Sequence, residues 1–112
     1  MIERIVIDYL IKTLNIPTYA EKPNRNPEEY IVIKNIDSGR VNHIDAVTFS
    51  IMSYAQTLDK ALELNARVKN AMYNIVSLDN VSSCRLGGGG QSIDTQTKTY
   101  AYESIFNIYY MD

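Results

Sequence analysis

The side chains able to move a proton, attack carbon or hold a metal are few, and they are scattered along the chain. The one histidine, His43, follows Asn42 and stands two residues before Asp45. A histidine with a nearby aspartate can orient a general base, but the spacing supplies neither a nucleophile nor a second carboxylate, and metal sites draw on several such ligands. His43 therefore reads as a surface residue beside a turn. The one cysteine, Cys84, sits among Val81, Ser83 and Leu86 in a strand-like run, which makes it a small buried hydrophobe rather than a nucleophile. A lone cysteine also excludes an internal disulfide and points to a reducing compartment. Glu28, Glu29, Asp37, Asp45 and Asp94 have no spacing that fixes two carboxylates in one cleft, so their role is solubility. No catalytic residue, cofactor-binding residue or metal ligand is assigned.

Two further groups invite a binding role. Gly87, Gly88, Gly89 and Gly90 form a run of backbone amides of the kind that cradles phosphate, but no Gly-Lys-Ser/Thr follows and the next segment is strand-like rather than helical. The run reads instead as the tip of a hairpin, continuing through Gln91 to Thr97, mobile alone and ordered by a partner because such residues bury little apolar surface. The closing segment places Tyr100, Tyr102, Phe106, Ile108 and Tyr110 on one parity and Ala101, Glu103, Ile105, Asn107 and Tyr109 on the other. Phe106 and Ile108 belong to a core. Nine tyrosines in all exceed what one small core requires, and tyrosine is enriched at protein interfaces because it buries area while keeping a polar tip. Gly87 to Gly90, Gln91, Tyr100, Tyr102, Tyr109 and Tyr110 are the candidate partner contacts.

The elements that must position these residues follow from periodicity. Ile2, Ile5, Val6, Tyr9, Leu10 and Thr13 recur at helical spacing until Pro17 stops the pattern. A Pro- and Asn-rich connection follows, in which Thr18 to Ala20 can make a brief edge strand. Tyr30 to Ile36 is β-branched, Asp37-Ser38-Gly39-Arg40 has turn chemistry, and from Asp45 the residues Val47, Phe49 and Ile51 alternate with Ala46, Thr48 and Ser50, giving a hairpin. A helix then starts near Thr57, whose hydroxyl suits a cap. Its stripe is Leu58, Ala61, Leu64, Asn65, Val68, Met72 and Ile75, and Glu63 precedes Arg67 by one turn. Val81 to Leu86 and the segment from Thr99 to Tyr110 form a second hairpin. The order α-ββ-α-ββ gives an α+β fold, an antiparallel sheet of about four strands with both helices packed on one face.

Size and charge narrow the class. The 112 residues suffice for one core, so residues 1–112 read as a single domain. A hydrophobic fraction of 46% and a charged fraction of 21% are those of an ordinary globular protein, and no run approaches the ~20 apolar residues of a membrane span. Glu3, Arg4, Asp8 and Lys12 interrupt the only segment resembling a signal sequence, so synthesis in the cytoplasm is expected. A net charge of −2 gives no electrostatic basis for sequence-specific nucleic-acid binding.

On these residues the chain resembles the tail terminators of long-tailed phages and prophages, also called tail-completion or tail-to-head joining proteins. The resemblance runs through the N-terminal helix, Tyr30 to Ile36, the block from His43 to Met72, the strand entry at Leu78 to Ser83 and the closing strand from Asp94. It implies a small α+β subunit that assembles, usually as a hexamer, into a ring at the head-proximal end of the tail tube. There it stops tube growth and docks on the DNA-filled head. The partners it implies are further copies of the chain, the tail tube protein and a head-completion or connector protein, with no cofactor and no membrane. A head-side neck or minor capsid protein is the alternative within the virion, and a small enzyme or ligand-binding domain is the alternative outside it, since fold does not fix function.

Overall fold

The computed structural model describes residues 2–25, 27–94 and 99–111, and in it two helices lie on one face of a five-stranded sheet. Helix α1, Ile2–Leu14, turns Ile2, Val6, Ile7, Leu10 and Leu14 inward. It stops where Asn15 takes φ 57° and its N–H returns to the Ile11 carbonyl at 2.9 Å, a left-handed C-terminal cap suited to a short polar side chain. Strand β1, Thr18–Tyr19, lies parallel to the start of β2, Tyr30–Val41, pairing Thr18 with Ile31 and Tyr19 with Val32. It is the fifth strand, added to the four principal ones.

β2 and β3, Ile44–Ala55, form the first hairpin, turned by Asn42 and His43 at φ 51° and 69°. Two residues with positive φ match the right-handed twist of the flanking strands, and Asn tolerates the first of them. His43 is exposed at this turn, as its position implied. The turn expected at Asp37 to Arg40 is corrected: these residues continue β2, and the local irregularity there is a bulge, with the register shifting between Asn35 and Asp37.

Thr57 caps α2, Leu58–Tyr73, accepting from the Lys60 amide at 3.2 Å. The helix buries Ala61, Leu64, Asn65, Val68, Ala71 and Met72. Val68, Met72 and Ile75 join Val47, Phe49 and Ile51 in one core with residues of α1. Leu58 does not; it is 36% exposed, so the inward stripe begins at Ala61. Arg67 reaches α1, donating from Nη2 to the Leu14 carbonyl at 2.9 Å and so satisfying one of the acceptors that a helix end leaves open.

The second hairpin consists of β4, Val81–Asp94, and β5, Thr99–Tyr110, and the sheet runs β1-β2-β3-β5-β4. The expectation that Gly87 to Gly90 form a hairpin tip is corrected here. They lie inside β4, with Gly88 opposite Ile105, Gly89 opposite Ser104, Gly90 opposite Glu103 and Gln91 opposite Tyr102. Strand pairing uses backbone groups alone, so a segment with no side chains to pack still completes its ladder against β5. The connection between β4 and β5, residues 95–98, falls outside the described residues.

Candidate functional site

Gly89 shows how the glycines are held. Its φ is 151°, and a Cβ there would lie 2.1 Å from the Glu103 carbonyl oxygen, so β5 passes too close for any side chain. Gly90 is different, because a Cβ there would meet nothing within 4 Å. Beside them α2 and β4 enclose a groove of about 240 Å³ lined by Leu62, Asn65, Lys69, Leu86, Gly88 to Gly90, Tyr102 and Glu103. Leu62 and Leu86 remain 49% and 39% exposed on its walls. Below, the Ser104 hydroxyl is bonded to Asn65 Oδ1 at 2.5 Å, both residues buried, which ties α2 to the middle of β5.

The tyrosine surplus is largely absorbed within the subunit. Tyr30, 1% exposed, stacks on Tyr54 at 4.6 Å and meets Tyr19 edge-on at 6.4 Å, while Lys22 Nζ stands 5.5 Å from the centre of the Tyr54 ring. This cluster holds the connection after β1 against the sheet face that the helices leave open. Tyr9 donates its hydroxyl to the Ala71 carbonyl at 2.7 Å, and burial raises its phenol above the ordinary tyrosine range. Of the candidate contacts, Tyr110 packs against the core. Tyr102 lines the groove and donates to Gln91 Oε1 at 3.3 Å. Tyr100 is half-buried beside Ala55, and Tyr109 is exposed. Gly87 to Gly90 and Gln91 are exposed along β4. Gly88 to Gly90 and Tyr102, with Gln91 bonded to it, therefore gather at the groove, whereas Tyr109 lies seven residues along β5 beside Ser83 and Tyr110 faces inward.

A second cleft of about 280 Å³ between the helices is lined by Tyr9, Thr13, Leu14, Arg67, Asn70, Ala71 and Asn74. Its ionisable groups are a phenol raised by burial, which cannot exchange a proton near neutrality, and a guanidinium already engaged by the Leu14 carbonyl. Cys84 packs against the core, and burial pushes its thiol up to about 12, far from the depressed range of a nucleophilic cysteine. On the open sheet face Thr48 Oγ1 donates to Asn107 Oδ1 at 2.7 Å and Ser50 Oγ to Glu103 Oε2 at 2.5 Å, a cross-strand polar ladder that satisfies its own members. Among the described residues, no three His, Cys, Asp or Glu side chains are grouped to hold a metal.

The sheet edges are what remain. Beyond Val32, β2 has no neighbour on its outer side, and β4 has none along its length among the described residues. Ile36, at the bulge in β2, is 48% exposed. The sequence reading missed Ile36, Leu62 and Leu86. For Leu62 a signal existed, since it stands one turn after Leu58 and off the inward stripe; Ile36 was hidden by assigning the following residues to a turn.

The fold recurs in a chain of the virion of a native gene transfer agent particle, at a TM-score of 0.67 and 12% identity, over 92% of this chain and 84% of that one. No protein-family model and no curated protein matches the sequence.

Proposed function

We propose that this chain is a virion structural subunit that assembles into a ring at the head-proximal end of a phage tail tube, where it ends tube growth and joins tail to head. The observation that carries the proposal is the sharing of nearly the whole fold with a chain of a gene transfer agent virion. The resemblance of the sequence to tail terminators names the place within such a particle. Two long open sheet edges and the exposed Leu62 and Leu86 fit a protein that works by contact. Its partners on this reading are further copies of itself, the tube protein on one side and a head-completion or connector protein on the other.

Electron microscopy of negatively stained protein, alone and mixed with purified tail tubes, tests the reading. Rings, and tubes capped at one end that then accept filled heads, are the expected result. Protein that stays monomeric with tubes and leaves them uncapped overturns it, and binding to tail-less heads instead transfers the chain to the head-side neck.

A further inference from the structure

The register of the sheet places an irregularity beside one row on each of its two outer edges. One transverse row runs Asn35–Phe49–Phe106–Leu86, and each outer strand is bulged beside it, on opposite sides of the row: the register shifts between Asn35 and Asp37 on β2 and between Leu86 and Gly88 on β4. The next row runs Asp37–Thr48–Asn107–Arg85, with an exposed carboxylate at one end and an exposed guanidinium at the other. At the same height, then, one edge carries the exposed Ile36 and an acid, and the other carries the exposed Leu86 and a base.

The four principal strands, in the order β2-β3-β5-β4, alternate in direction at every pairing. With an even number of alternating strands the two outer ones run oppositely. A copy rotated about an axis along the strands therefore brings its β2 antiparallel to the β4 of its neighbour, and the sheet continues without reversing. β1 covers only Ile31 and Val32, so Ile33 to Val41 is the length of β2 open to a partner. Two different surfaces joined head to tail close into a ring when the rotation closes.

We infer that the copies join through these edges, with β2 of one against β4 of the next, Ile36 seated at the height between Leu86 and Arg85, and Asp37 facing Arg85. The inference rests on the ring reading and names its interface. Burying Ile36 and Leu86 removes two exposed apolar groups, and the facing charges set register and direction.

Paired cysteines test the contact, because opposed antiparallel residues stand within disulfide reach. In a Cys84→Ser background, Asp37→Cys and Arg85→Cys are made separately and mixed under oxidising conditions at concentrations where the parent forms rings. Cross-linked heterodimers from the mixture alone are expected, as is a covalent ladder from the chain carrying both changes. Rings that yield no cross-link overturn the edge assignment and leave the ring reading standing, whereas cross-linking of either single variant with itself shows a two-fold contact and also overturns it. A parent that never assembles, alone or on tail tubes, sinks both. Independently, Ile36→Glu is expected to raise the concentration for half-assembly by about tenfold or more, the scale of one buried hot-spot side chain, with the thermal midpoint of the subunit unmoved. Unchanged assembly of that variant removes the seat proposed for Ile36.

Discussion

Replacing Gly89 and Gly90 one at a time by alanine separates a strand in the sheet from a free hairpin tip. At Gly89 the new methyl is placed 2.1 Å from the Glu103 carbonyl oxygen and 3.2 Å from the Ser104 Cα, and the backbone already sits at φ 151°. Both obstacles are main chain, so no rotamer change relieves them. Overpacking costs about 1–3 kcal/mol and a non-glycine residue in such a φ region about 1–3 kcal/mol more, giving roughly 2–6 kcal/mol for Gly89→Ala. At Gly90 nothing stands within 4 Å, and the lost freedom of the unfolded chain stabilises by about 0.4–1 kcal/mol. For a chain of this length, thermal midpoints move by about 3–5 °C per kcal/mol, so far-ultraviolet circular dichroism of dilute, unassembled protein resolves the two. Gly89→Ala is expected to melt well below the parent and Gly90→Ala at or slightly above it. Equal midpoints would refute the pairing of Gly89 with β5 and return the glycines to the end of the hairpin.

Truncating Asn65 to alanine strands the buried Ser104 hydroxyl and is expected to cost about 1–3 kcal/mol in urea unfolding. Adding Ser104→Ala should recover part of that loss, and strict additivity in the double-mutant cycle would show that the two do not interact. Cys84 gives a pH dependence of definite sign: burial raises its thiol from the ordinary 9.0 to about 12 on folding, so between those values the unfolded chain has lost a proton that the folded chain keeps. That contribution to stability is fully present below pH 9 and is lost as pH rises toward 12. Cys84→Ser should flatten the decline, and an identical alkaline profile would contradict the burial assigned to the thiol.

The parts of the fold written in local periodicity were legible. α2 shows its stripe and its Thr57 cap within a window of a few turns, and even Asn65 fell on the inward side before its partner Ser104 was visible. β3 declared itself through Val47, Phe49 and Ile51. β4 did not, because strand propensity is a property of side chains and Gly87 to Gly90 have none; only the partner strand reveals that they pair. Asp37 to Arg40 misled for the converse reason, since their turn chemistry is overridden by the ladder to Ala46 and Asp45. The candidate surface was legible only in pieces. The sequence drew attention to the glycines and to Tyr102, yet the matching of Ile36 with Leu86 and of Asp37 with Arg85 depends on transverse register, and register joins residues about fifty positions apart in the chain.

Strand order has a consequence for how the molecule comes to exist. β5 follows every other described element along the chain, yet it lies between β3 and β4. While the polypeptide is being made, β3 therefore waits with one edge bare, and neither Phe106 nor Ile108 is present to seal the centre beneath α2. Pairing residues 45–55 with 100–110 closes a long loop, the slow kind of contact, and chains halted before that insertion offer a template for pairing with each other. Loss of the segment from Thr99 onward would remove the keystone of the sheet rather than trim its border, and the resulting fragment should aggregate instead of folding into a smaller version of the same subunit.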